Sequence, residues 1–334
     1  MNVEYNNHLH SPFFDFIKSA AMAPTILIAG ATGNTGRNTV ETLSRLIDSK
    51  SFLSGYRVLA LTRSANRDAA KHLAKLPNVE VVEKNWIEVT TDWLRENKVV
   101  RAFIASHMLP TQFAEESTFH VAALNAGVQY VVRISTTAAN VRPDCKAFYP
   151  RTHWAIEALL ASPEFSAMQW TSLQPNAFTP LYLSTATQFV KNFRKTGKQD
   201  ILRLMADEDV PTGPIHPDDV GAIAAHLLAE EDPSRHNKAK YVLNGPEDVT
   251  GKQIVDMVEQ AIGVKVENVA YKDVTFIEHM MVGTPEFNTI MKSIEHAGEA
   301  GWEGKTSTST TSKEILDLGL LKITPAEVFK TMIE

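Results

Sequence analysis

Two spacing patterns of apolar residues alternate along the first half of this chain. Runs in which nearly every position is apolar predict strands at 25–29, 56–62, 79–82, 100–105 and 129–135. Between them apolar residues fall at helical spacing, as in 35–47, where Val40, Leu43, Leu46 and Ile47 form one stripe. Further helices are expected over 67–76, 91–97 and 112–126. Strands apolar on both faces and separated by helices mean a parallel sheet covered on both sides. Right-handed crossovers then make the doubly wound order the expected one, an α/β fold of the Rossmann kind.

After Ser135 the pattern loosens. A helix is expected at 149–161, a sixth strand at 169–173 closing on Pro175, and a helix at 218–230 with an acidic start after Pro217. Residues 241–243 read as a late strand of the same sheet, 250–262 as a helix stopped by Gly263, and 264–269 as a short strand. The stretch 176–215 holds several prolines and glycines without a clear period, which suits a substrate lid. The run 276–282, with His279, Met280 and Met281, fits a lid helix, and the serine- and threonine-rich stretch 306–312 an exposed loop.

Glycines punctuate the first strand–helix junction: Gly30-Ala31-Thr32-Gly33-Asn34-Thr35-Gly36. In a phosphate loop Gly30 allows the tight turn, Gly33 lets the backbone approach a pyrophosphate, and Gly36 lets the helix pack closely on the sheet. The helix N-terminus adds free N–H groups and a partial positive charge. A glycine triplet alone is a weak signal, but its strand–turn–helix context points to a dinucleotide. The second strand ends Leu61-Thr62-Arg63-Ser64, with no carboxylate to grip a ribose 2′-OH and a guanidinium in its place. Arginine pairs bidentately with a 2′-phosphate, which favours NADP(H) over NAD(H).

Composition limits the alternatives. The 334 residues suit one large domain or a main domain with a smaller lobe, and 44% apolar content supplies a sizeable core. A net charge of −6 with mixed signs argues against a nucleic-acid groove or a membrane-surface patch. Cys145 is the sole cysteine, so no internal disulfide forms and a cytoplasmic, reducing compartment is expected. The expected division is an extension at 1–24, with Met22 an alternative start, then a nucleotide-binding core at 25–175. A substrate lobe and lid at 176–334 follows, with about 215–245 returning to the core.

These motifs resemble the NmrA-like group of atypical short-chain dehydrogenases/reductases. The resemblance rests on the glycine turn, the Thr-Arg-Ser end of the second strand, Gln174-Pro175-Asn176-Ala177-Phe178, His216-Pro217-Asp218-Asp219-Val220 and Gly245-Pro246-Glu247, and it spans about 25–270. The group includes isoflavone-reductase-like enzymes, NAD(P)H-quinone reductases and redox-sensing regulators that bind NADP without turning it over. The resemblance therefore implies the fold more firmly than the function.

Standard short-chain reductases place Tyr-x-x-x-Lys on one helix face. This chain departs from that pattern with Tyr149-Pro150-Arg151-Thr152-His153, a histidine at the lysine position, four residues before Glu157. Histidine can hydrogen-bond a ribose or work as an acid or base near neutral pH, but it lacks lysine's permanent charge. Ser135 stands where the usual catalytic serine would, with Thr136 and Thr137 able to do the same work. The candidate catalytic set is thus Tyr149, His153 and Ser135. The candidate cofactor set is Gly30, Thr32, Gly33, Asn34, Thr35, Gly36, Arg63, Ser64, Ser106, His107, Pro175, Asn176 and Phe178. His216 with two aspartates gives no tetrahedral metal set, and Asp218 is placed to cap a helix.

Two functions fit these residues. One is an NADPH-dependent reductase acting on a C=C or C=O bond of an apolar small molecule. The other is a non-catalytic NADP(H)-binding regulator acting through a protein partner. Monomer and homodimer are both open.

Overall fold

A computed structural model describes residues 23–280 and 283–334. Its centre is a seven-stranded, wholly parallel sheet: β1 Thr25–Ala29, β2 Arg57–Thr62, β3 Val79–Glu83, β4 Val99–Ile104, β5 Tyr130–Ile134, β6 Gln169–Pro175 and β8 Ala239–Leu243. They lie in the order β3-β2-β1-β4-β5-β6-β8. The chain thus winds outward from β1 in one direction, then from β4 in the other. The crevice between the carboxyl ends of β1 and β4 is the topological switch point, where such sheets bind ligands. A minor pair, β7 Leu202–Arg203 and β9 Val269–Ala270, lies apart. Of the strand expected at 264–269, only Val269 lies in β9.

Side chains alternate between two cores with the period of a strand. Ile26, Ile28, Val58, Ala60, Phe103, Tyr130, Val132 and Leu173 face one core, while Leu27, Leu59, Leu61, Ala102, Ile104, Val131 and Trp170 face the other. The first core is closed by α1 Gly36–Ser49 and α8 Pro217–Leu228. The second is closed by α3 Thr91–Glu96, α4 Gln112–Ala126 and α5 Phe148–Leu160; α2 Asp68–Leu73 joins β2 to β3. Val40, Leu43 and Ile47 of α1 are buried, each stabilising the fold by about 2 kcal/mol. Helices α1 and α8 meet across Gly221, where an added Cβ would stand 2.5 Å from the Thr35 carbonyl.

The stretch 176–215 is more ordered than its irregular sequence predicts. It contains α6 Thr179–Tyr182 and α7 Ser184–Thr196, and α7 packs with α9 Gly251–Ile262 and a C-terminal helix, Pro325–Ile333, around a third core. Prolines and glycines at its ends mask the 3.6-residue period of α7. The 306–312 stretch is not an exposed loop: Thr306 and Thr311 are buried, and Asp248 accepts from the Thr308 amide at 2.8 Å. Its hydroxyls satisfy buried partners, so composition alone misreads it. Asp218 does not cap α8; the His216 Nδ1 accepts the Asp218 amide at 3.2 Å and does so instead. Of the expected lid run, Phe276 and Ile277 join a fourth cluster with Phe148, Met291 and Ile294. Met281, Val282 and the extension through Met22 lie outside the described residues. Among the described residues no helix is long and apolar enough to cross a membrane.

Candidate functional site

At the end of β1 the chain turns through Gly30 at φ +85°, a left-handed conformation that strains any residue with a Cβ. Gly36 is more constrained still. A Cβ there would lie 2.1 Å from the Gly30 carbonyl oxygen, so the turn closes only on a glycine. The Gly33 amide donates to Gly30 O at 2.9 Å, and the Arg37 amide to Gly33 O. The amides of Thr32, Asn34 and Thr35 donate to no acceptor among the described residues. Three free N–H groups thus lead into a helix whose first turn carries no acid. That is a cradle for an anion. Beside it the Thr32 and Thr62 hydroxyls meet at 3.3 Å. Arg63 follows, exposed and without an ion pair among the described residues, and the Ser64 amide turns back onto Thr62 Oγ1. Arg63 and the glycine turn therefore share one end of the sheet.

A cavity of about 300 Å³ opens at the carboxyl ends of β4, β5 and β6. Ser106, His107, Ser135, Tyr149, His153, Pro175, Asn176 and Phe178 all line it, so the later candidates from four stretches of sequence converge there. Its far wall is apolar, built from Met108, Leu181, Met205, Phe276, Ile277 and Trp302. Trp302 is oriented by donation of its Nε1–H to the Met205 carbonyl at 2.8 Å. Several lining residues also carry structural bonds. Asn176 spends its NH₂ on the carbonyls of Gly213 and Thr306, tying the end of β6 to two loops. Phe178 bridges to Ile215. The His107 ring contacts Glu115 and tilts against Trp86. Ser135 is buried, and its hydroxyl has no hydrogen-bond partner among the described residues.

Below the cavity floor lies a charged network that the sequence reading missed. Strand alternation sends Arg133 of β5, Ser172 and Gln174 of β6 and Lys240 of β8 towards α4 and α5. The fully buried Arg133 donates Nε–H to Glu116 Oε1 at 2.7 Å and Nη1–H to Ser172 Oγ at 3.0 Å. Its Nη2–H goes to His153 Nδ1 at 2.7 Å. Glu157 accepts from Ser172 and Gln174 and pairs with Lys240 at 3.1 Å. Glu116 also accepts from Ser106 at 2.6 Å. The signal was present: one arginine within Tyr-Val-Val-Arg-Ile, and acids on the buried faces of α4 and α5. A buried charge persists only when paired.

These neighbours set the protonation states. Burial works to raise the Glu116 carboxyl, but Arg133 and then His120 outweigh it and hold the group well below the usual range. Burial, reinforced by Arg133 and opposed by Glu116, pushes His153 down to about 3. His153 therefore carries no second proton near neutral pH, which fits a hydrogen-bonding role better than an acid–base one. Burial also raises the Tyr149 phenol, with Thr136 offsetting part of the effect. The Tyr149 and His153 rings meet edge to face, with centroids 6.3 Å apart.

Parallel strands in this order, with a glycine cradle at the switch point and a cavity beside it, define a Rossmann-type α/β protein. The family model for the NmrA-like family matches residues 22–320, and the chain belongs to that family. No curated protein matches the sequence. The fold is similar to that of the NADPH-dependent quinone oxidoreductase QOR2 from Escherichia coli, solved with NADPH, at 19% identity and TM-score 0.69. That match covers 92% of this chain and 100% of the other. The triphenylmethane reductase of Citrobacter sp., complexed with NADP(H), is similar at 18% identity and TM-score 0.65, covering 92% and 99%. NmrA, a negative transcriptional regulator in complex with NADP, is similar at 15% identity and TM-score 0.63, covering 94% and 95%.

Proposed function

We propose that this chain is an NADPH-dependent reductase that reduces a C=C or C=O bond of an apolar small molecule. One observation carries the reading: an apolar-walled cavity of about 300 Å³, floored by Ser135, Tyr149 and His153, next to the glycine cradle. The cradle fits a dinucleotide, because its turn closes only on a glycine at position 36 and three amides there are free to meet phosphate. Arg63 at the end of β2 is free to hold a 2′-phosphate. The bound cofactor supplies the hydride, from C4 of its nicotinamide.

The chain's own residues orient the substrate and supply the proton. Ser135 has an unspent hydroxyl at the cavity and polarises the acceptor. Tyr149 keeps its proton throughout the neutral range and delivers it from the phenol oxygen as negative charge develops on the substrate. With a neutral histidine where standard reductases carry lysine, nothing acidifies that phenol before substrate binds. The apolar wall excludes water and selects a hydrophobic ligand. The test is NADPH oxidation across a panel of enones, ketones and quinones with the wild type and Tyr149→Phe. Turnover should fall about 100-fold in the variant, with NADPH affinity kept. Equal rates in both proteins would remove Tyr149 from the chemistry.

The likeness to NmrA and the absent lysine favour a second reading, a regulator that binds NADP(H) and signals to a protein partner. Tight cofactor binding with no turnover of any electrophile in the panel would select it.

A further inference from the structure

The ring of His153 is held from below rather than from the cavity. Its Nδ1 faces Arg133 Nη2 at 2.7 Å, and a guanidinium can only donate, so Nδ1 must accept. The neutral ring's one proton is then on Nε2. The Gln112 amide NH₂, also a donor, stands 3.4 Å from Nδ1 and 3.5 Å from Nε2, so it offers Nε2–H no acceptor. Gln112 cannot usefully turn its oxygen that way, because the same NH₂ serves Ser106 Oγ at 2.9 Å and Glu116 Oε2 at 3.2 Å. The Nε2–H thus belongs to a residue that lines the cavity and lacks an acceptor inside the network.

Charged and titratable groups surround this ring on every packed element. Helix α4 contributes Glu116 with His120 behind it, and β5 contributes Arg133. Helix α5 itself contributes Tyr149 and Glu157, and β8 reaches Glu157 through Lys240. Arg133 touches the ring directly, whereas Glu116 reaches it through Arg133 and Gln112 and Glu157 through Arg133. The guanidinium also cannot rotate away, since its three nitrogens are each bonded to a different partner.

We propose that Arg133 is a positioning residue that locks His153 as a neutral Nε2–H donor aimed at the cavity, to hold the ribose hydroxyl of the nicotinamide nucleotide through a contact that pH does not alter. This rests on the NADPH reading above for the ligand, but not for the tautomer. Lysine holds such a hydroxyl with a permanent charge; here a permanently uncharged donor replaces it.

The test starts with nitrogen-15 NMR of the histidine rings in the cofactor-free protein, with the His153 signals assigned by their loss in His153→Gln. The expected spectrum shows a protonated Nε2 and a bare Nδ1, unchanged from about pH 5.5 to 8. A proton on Nδ1, or titration within that window, overturns the lock. In Arg133→Met the ring's titration should move upward towards that window, since the guanidinium that opposes a second proton is gone and Glu116 still favours one, with burial alone left to oppose it; Arg133→Lys should restore much of the wild-type spectrum. NADPH affinity should fall about 10-fold in His153→Ala, by the same factor at about pH 6 and about pH 8, so that titration of the cofactor's own 2′-phosphate cancels. An unchanged affinity in His153→Ala overturns the ribose contact. Failure of the wild type to bind NADPH at all would sink the reductase reading while leaving the ring spectrum to decide the lock. Should Arg133→Met fail to fold, the wild-type spectrum alone decides it.

Discussion

Replacing Arg133 with methionine should reveal how much of the stability depends on a charge that no solvent reaches. The side chain is fully buried, as are Glu116 and Glu157. The two acids are not equally exposed to its loss. Glu157 keeps Ser172, Gln174 and Lys240, whereas Glu116 loses a partner at 2.7 Å and keeps only the neutral donors Ser106 and Gln112 and a histidine at 3.4 Å. Breaking one side of a buried pair costs about 3–5 kcal/mol. For 334 residues the entropy of unfolding is about 0.7 kcal/mol/K, so a 4 kcal/mol loss lowers Tm by about 6 °C. The pH dependence has a definite sign. In the wild type the Glu116 pKa is depressed, so its contribution is full above the unfolded value and is lost as pH falls through the folded one. In the variant an unpaired buried carboxyl shifts upward instead, so the deficit is largest near pH 7.5 and shrinks towards pH 5. Urea unfolding at both pH values measures this, and Arg133→Met/Glu116→Gln should recover most of the loss. A deficit under about 1 kcal/mol at pH 7.5, or one that grows on acidification, would refute the pairing argument.

Other perturbations isolate other parts. Gly36→Ala forces a Cβ to 2.1 Å from the Gly30 carbonyl, so it should cost about 1–3 kcal/mol in thermal unfolding and weaken NADPH binding by at least about 10-fold. Arg63→Ala should lower NADPH affinity by about 10- to 100-fold in a fluorescence titration and leave NADH unchanged. Asp219→Ala removes the acceptor of the Lys322 and Ile323 amides at 2.9 and 3.1 Å and should cost about 2 kcal/mol in urea unfolding.

Strands β1, β2, β4 and β5 were legible because each is a largely apolar run flanked by a helix, a signal that comes from burial on two faces. The glycine turn was legible because only glycine tolerates positive φ at Gly30 and a carbonyl within van der Waals contact at Gly36. Legibility failed where a residue type has two uses. Serine and threonine at 306–312 read as solvated, yet their hydroxyls saturate Asp248 and Asn244. Whether His153 donates to a ribose or works as an acid or base was open in the sequence, because its burial and its partner Arg133, 20 residues away, arise only from the β5–α5 packing. Pairwise chemistry across strands leaves no local spacing to find. His216 was passed over as a cap because serine, threonine and aspartate are the usual ones.

A titration of the wild-type protein with NADPH, followed by thermal unfolding, reaches the cradle and Arg63 together. Saturation at about 100 times the dissociation constant should add about 2.7 kcal/mol, a rise of about 4 °C in Tm, with a smaller rise for NADH at equal concentration. A melting temperature unmoved by NADPH and NADP⁺ alike would contradict the dinucleotide site and the reductase built on it.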